Sequence, residues 1–195
     1  RVGYPVYSLC NQTMNSLFTA EVGRILRLGV PLGIAQLATF LMGMVDTACV
    51  GRVSPEALGA VALGNAIHYG AVTLAMGFAL ALDPLASQAI GANDHGKAWR
   101  WWLAVRRITL IAGIPAGLLS VALASNLTLF GLDPDLEVLT AEYALCRAPS
   151  ASFFLLFLGG RSMLQSHGRT AGILAAALGA NVINLISDIV LVFGD

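Results

Sequence analysis

The chain has 195 residues, 57% of them hydrophobic and 11% charged, with 11 basic against 11 acidic side chains and a mean hydropathy of +0.77. A soluble domain carries about 25% charged residues, so this chain lacks the polar groups to cover a solvated surface and reads as an all-α polytopic membrane protein. The even charge balance gives no support to a nucleic-acid partner.

A helix that crosses a bilayer needs roughly 20 predominantly apolar residues. Five stretches qualify, at about 28–50, 57–82, 102–124, 138–160 and 171–193. Residues 1–20 have no basic segment followed by a clean apolar core, so no signal peptide is expected. The chain starts at Arg1 without a Met and stops at Asp195 directly after an apolar run, which reads as a piece of a longer protein.

Basic residues set the expected orientation. Arg24 and Arg27 precede span one; Lys97, Arg100, Arg106 and Arg107 cluster after span two; Arg161 and Arg169 flank the connection between spans four and five. Alternating spans put all eight on one side. The opposite loops hold Arg52 with Glu56, Asp133, Asp135 and Glu137. The positive-inside rule then places the N-terminus and the loops near residues 90 and 160 in the cytoplasm. Trp99, Trp101 and Trp102 stand where interfacial anchors are expected. Cys10, Cys49 and Cys146 are spread too widely for a metal site and odd in number for a disulfide framework. Asn11–Thr13 and Asn126–Thr128 match the glycosylation pattern, and only the second would face outward. Arg147 is expected to snorkel outward or pair with Glu142, with a partnership with Asp188 as a further alternative.

Three acidic residues fall inside apolar runs. Asp83 stands before Pro84 and is read as interfacial or as shaping a kink. Asp46 ends a stripe on span one formed with Gln36, Thr39 and Gly43, and Asp188 ends one on span five formed with Asn181 and Asn184. Spacings of three and four put each stripe on one helix face. Asp46 lies 18 residues beyond Leu28 and Asp188 lies 17 beyond Ala171, so both sit roughly 25 Å from the inner face at 1.5 Å per residue. An isolated amide in a membrane helix is adequately explained as a contact to a neighbouring helix. A carboxylate needs a proton, a cation or an arginine. Two at equal depth therefore point to a site for a proton, or for a sodium ion whose water shell carboxylate and amide oxygens replace. No metal cluster, nucleophile–base pair or phosphate loop stands out, His68, His95 and His167 read as isolated, and no enzyme activity is expected.

These residues also carry a resemblance. "GVPLGIAQLATFLMGMVDTACVGRVSPEALGAVALGNAI" (29–67), "LALDPLASQAIGANDHGKA" (80–98), "AEYALCRAPSASFFLLFLGGRSMLQSHGRT" (141–170) and "NVINLISDIVLVFG" (181–194) resemble the first five helices of the multidrug and toxic compound extrusion (MATE) family. The resemblance implies twelve helices in two six-helix lobes, with this chain supplying a tail (1–23) and most of the N-terminal lobe (24–195). The sixth helix and the C-terminal lobe would be its missing partners. It further implies export of drugs and toxic organic cations in exchange for Na+ or H+ across the plasma membrane, the inner membrane if the source is bacterial, with no resident cofactor. An Asp of helix one and an Asn-x-x-x-Asp of helix five form the family's cation or proton site, matching Asp46, Asn184 and Asp188; these would be the metal ligands if the ion is sodium. Pro31 matches a helix-one proline whose bending is linked to protonation, and Tyr143 matches a tyrosine near the site. Gln36, Thr39 and Asn181 are expected to line the cavity or gate it. A helix-six threonine that completes the site in some members is absent here.

Two other readings remain open. A lipid-linked saccharide flippase of the same superfamily would be expected to line its cavity with several basic residues. A non-transporting scaffold would show no ion-driven movement of any solute.

Overall fold

The computed structural model describes the backbone of residues 5–193 and the side chains of residues 18–190. Expectations about Cys10 and the Asn11–Thr13 pattern therefore concern side chains outside the described residues. Among the described residues the regular structure is entirely helical: α1 (Pro5–Val50), α2 (Pro55–Leu80), α3 (Leu82–Gly91), α4 (His95–Ala124), a 3-10 turn (Leu127–Phe130), α5 (Pro134–Arg147), α6 (Ser150–Ser166) and α7 (Thr170–Phe193).

Local chemistry explains most boundaries. The Ser54 hydroxyl caps α2 by accepting the Ala57 N–H at 3.0 Å, with Pro55 in the first turn, where its missing N–H costs nothing. Asp94 caps α4 by accepting the Lys97 N–H at 2.8 Å, and Asp133 caps α5 through Asp135 N–H at 2.8 Å. Gly131 and Gly168 hold positive φ, 78° and 68°, in tight connections, which a residue without Cβ adopts freely.

Four helical segments are long and apolar enough to cross a membrane: Phe18–Val50, Pro55–Gly91, His95–Ala124 and Thr170–Val190. The fourth expected span, read as continuous over 138–160, is instead two helices, α5 and α6, bent by 49°. Pro149 is the physical reason. It has no N–H to give the Leu145 carbonyl, and its ring crowds the preceding turn. The second span also continues past its expected end. It breaks at Ala81, just before Asp83–Pro84, and proceeds through α3 to Gly91.

In lipid the exterior is as apolar as the interior, so helices associate through close packing of small residues. The core follows that rule. Val72, Ala75, Ala116, Ala151 and Leu155 join α2, α4 and α6; Leu82, Ala86 and Val105 join α3 to α4 beneath Trp102 and Met163. Ala35, Ala38, Ile173 and Ala177 join α1 to α7. Large side chains such as Leu74, Ile111 and Ile183 point outward. The helices thus form two groups, the α1–α7 pair and the α2–α6 assembly. A cleft runs between them.

Candidate functional site

The two polar stripes meet in this cleft. The Asp46 and Asp188 carboxyl groups come together from α1 and α7, close enough to share a hydrogen bond once one of them holds a proton. Each keeps one buried oxygen, Asp46 Oδ1 and Asp188 Oδ2, that meets no donor. Two carboxylates this close are both acceptors when ionised, an arrangement that a proton or a cation resolves. Asn184, one turn earlier on α7, is half-buried.

The rest of the α1 stripe lines the open space. Gln36, Thr39 and Gly43 border a cavity of about 600 Å³ together with Tyr69. Thr39 donates its hydroxyl to Ala35 O at 3.0 Å. Asn181 turns its amide back to Ala177 O at 2.8 Å while bordering a neighbouring cavity of about 410 Å³. Pro31 lies inside the unbroken α1, where it leaves the Arg27 carbonyl without its helical donor.

Tyr143 is the centre of a network that the sequence did not reveal. Its hydroxyl donates to Asn65 Oδ1 at 3.1 Å and accepts from Arg147 Nη1 at 2.9 Å. It also lies within electrostatic reach of Asp46. Arg147 neither snorkels outward nor pairs with Glu142. Its guanidinium is 5.7 Å from the ring centres of both Tyr69 and Tyr143, a distance suited to cation–π attraction. The α5–α6 bend, which follows Arg147 directly, turns that side chain into the cleft. His68, also unassigned from the sequence, is buried with Nδ1 3.4 Å from the Ser120 hydroxyl. A signal was available: Asn65 and His68, three residues apart, mark a polar face on the second span.

Arg161 makes a contact that the sequence did not reveal. From the side where the basic residues cluster it reaches across the cleft to Gln36 Oε1 at 3.1 Å. Asp83 borders the same space, a cavity of about 440 Å³, so its position beside the α2–α3 break puts it on the cleft wall. His95 and His167 do not stand alone. Their rings stack with centres 6.0 Å apart where α4 begins and α6 ends. Trp99, Trp101 and Trp102 fall in the first two turns of α4, and Trp102 packs under Gly159. Cys49 and Cys146 are free thiols.

A bundle of spanning helices divided by a polar-lined cleft, with paired carboxylates between the two helices of one half, defines a multi-pass membrane protein. Its lineage is equally definite: the MatE family model matches residues 31–190, and the chain belongs to that family. It is 30% identical over 178 residues to a probable multidrug resistance protein NorM of Pseudomonas putida, covering 90% of this chain and 38% of that protein. It is 32% identical over 183 residues to the multidrug resistance protein PmpM of Pseudomonas aeruginosa, covering 90% and 37%. The chain therefore spans under two-fifths of the length of these relatives. In three dimensions it resembles an outward-facing multidrug resistance MATE family transporter of the MOP superfamily, with a TM-score of 0.78 at 24% identity over 88% of this chain and 39% of the other.

Proposed function

We propose that this chain forms the N-terminal lobe of a secondary transporter that exchanges Na+ or H+ for drugs and other xenobiotic organic compounds. The observation that carries the reading is the Asp46–Asp188 pair, two carboxyl groups from different helices with buried, unpartnered oxygens. One proton resolves the clash by turning an acceptor into a donor. A sodium ion resolves it by taking both carboxylates, with the Asn184 amide oxygen in reach of the same helix face. Either occupant neutralises the pair and lets α1 and α7 shift as a unit against α2–α6, the kind of two-state change that alternating access requires. The driving force is adequate, since one charge crossing 100 mV is worth about 2.3 kcal/mol.

The open, largely apolar cleft suits varied amphipathic solutes better than one fixed ligand. The relatives named for multidrug resistance support the same substrate class. With its basic residues on the cytoplasmic side, the lobe would sit in the plasma membrane with its N-terminus inside. Proteoliposomes holding the protein expressed from its complete coding sequence provide the test. Ethidium movement driven by a sodium or a pH gradient, and lost in Asp188→Asn, is the expected result. Ethidium that follows neither gradient, with folded protein present, overturns the exporter.

Arg161 gives the flippase reading one supporting observation, because it adds a second guanidinium to the cleft wall beside Arg147. A fluorescent lipid-pyrophosphate scrambled or flipped by the same proteoliposomes, without any ethidium movement, would favour that alternative.

A further inference from the structure

Arg147 carries a charge that the described residues leave without a counter-ion. Its Nη1 donates to the Tyr143 hydroxyl, and two aromatic faces hold its plane, but its Nε is buried without an acceptor. Among the described residues the ion pair that forms is Arg24–Glu21, far from the cleft wall. The adjoining cavity of about 410 Å³ has no Asp or Glu in its lining; Tyr69, Phe153, Phe154 and Phe157 form its walls, with His68 and Asn181 as polar points. The C-terminal end of α5 offers only a partial negative charge. A guanidinium fixed in a poorly solvated space without a counter-charge is costly, and the cost is relieved whenever an anion occupies the cavity. Arg161 shares the buried Nε without an acceptor, but Asp83 in the lining of its cavity supplies a negative charge there.

We propose that Arg147 recognises the anionic group of an amphipathic ligand, a carboxylate, sulfonate or phosphate, whose aromatic or apolar body lies against Phe153, Phe154 and Phe157. Carboxylate and phosphate oxygens match the two-pronged donor geometry of a guanidinium. The Nε–H that has no acceptor is one prong of that fork. The cavity is large enough for a ligand of a few fused rings. This inference rests on the transporter reading and specifies one part of its substrate range: acidic or zwitterionic aromatic compounds held through their anionic group. Tyr143 would link this subsite to Asp46, since it contacts Arg147 directly and lies within the field of the carboxylate.

Pyrenebutyrate, an aromatic carboxylate, and ethidium, an aromatic cation, are the probes. Binding of each is measured by fluorescence to the protein expressed from its complete coding sequence, in phosphatidylcholine nanodiscs. Arg147→Gln should weaken pyrenebutyrate binding about tenfold, the loss expected for a charge-assisted hydrogen bond, and should tighten ethidium binding by removing an opposing charge. Arg147→Lys, which keeps the charge, should recover part of the pyrenebutyrate affinity. Equal pyrenebutyrate affinity in wild type and Arg147→Gln overturns the proposal, as does parallel loss of both probes with no recovery in Arg147→Lys. Repeating the titration with phosphatidylglycerol in the nanodiscs separates two sources of anion. Competition that disappears in Arg147→Gln assigns the site to a lipid headgroup, and its absence assigns it to a soluble ligand; both uphold anion recognition. Failure of ethidium to follow any ion gradient would remove the exporter reading while leaving this binding result standing.

Discussion

Arg161 of α6 donates to the side-chain oxygen of Gln36 on α1 at 3.1 Å, and so ties the α1–α7 pair to the α2–α6 assembly across the cleft. The tie lies on the half of the cleft that the basic residues assign to the cytoplasm, away from the Asp46–Asp188 pair. Any motion that separates the two helix groups there must break it. Hydrogen bonds to charged groups stabilise by about 1.5–3 kcal/mol in soluble proteins, whereas side-chain bonds between membrane helices average about 0.6. A double-mutant cycle of Gln36→Ala and Arg161→Gln, followed by thermal unfolding in detergent, should yield a coupling energy of about 1 kcal/mol. Additive effects would show that the contact holds nothing together.

The carboxylate pair predicts that stability and activity move in opposite directions. Asp188→Asn places an amide donor where Asp188 Oδ2 now has none and where Asp46 can accept it. The variant should resist unfolding as well as wild type or better, by about 1 kcal/mol, while losing ion-driven ethidium export. Asp46→Asn should behave in the same way. A variant that lost both its melting transition and its transport would indicate a structural rather than an ion-binding pair, and transport retained in both variants would remove the site assignment.

Helix spacing predicts contrasting outcomes at two glycines. A Cβ on Gly117 of α4 would stand 2.5 Å from the carbonyl oxygen of Ala148, at the bend between α5 and α6. Backbone cannot step aside as a side chain can. Gly117→Ala should therefore destabilise by about 1–3 kcal/mol, the range for overpacking. Gly77 of α2 has no neighbour within 4 Å of the same position, and alanine there should be neutral or stabilise by up to about 1 kcal/mol. Unfolding midpoints of the two variants, compared in one detergent, decide the matter.

The sequence disclosed the spans because lipid demands an unmistakable composition. It marked Asp46 and Asp188 as a candidate pair because a carboxylate in such a run is too costly to stand there without a proton, a cation or an arginine, and the fold brings the two together. The network around Tyr143 was hidden for the converse reason. Asn65, His68 and Tyr69 are common enough in apolar helices to pass as filler, and only the meeting of α2 with α5 and α4 gives Asn65 and His68 their partners. Arg147 was misplaced because its long side chain can reach either water or the interior, a choice that packing makes. The division of the fourth span was signalled by Pro149, but Pro31 and Pro115 sit within unbroken helices. A proline alone does not say which helix will bend.

That bend is itself open to test. Ala148 and Pro149 both keep right-handed helical angles, φ −50° and ψ −42° for Ala148 and φ −61° and ψ −26° for Pro149, so the chain turns by 49° without uncoiling. Pro149→Ala would restore an N–H able to reach the Leu145 carbonyl and remove the ring that crowds it, changes that together favour a straight helix by about 3 kcal/mol. Straightening would move Arg147 relative to Arg161 and shift the guanidinium, together with Tyr143 on the same helix, away from Tyr69 on α2. Distances between spin labels at Glu142 and Leu164, on either side of the bend, should lengthen in Pro149→Ala. Pyrenebutyrate binding should weaken in step. An unchanged distance would mean that Gly117 and the surrounding packing, rather than the proline, hold the bend.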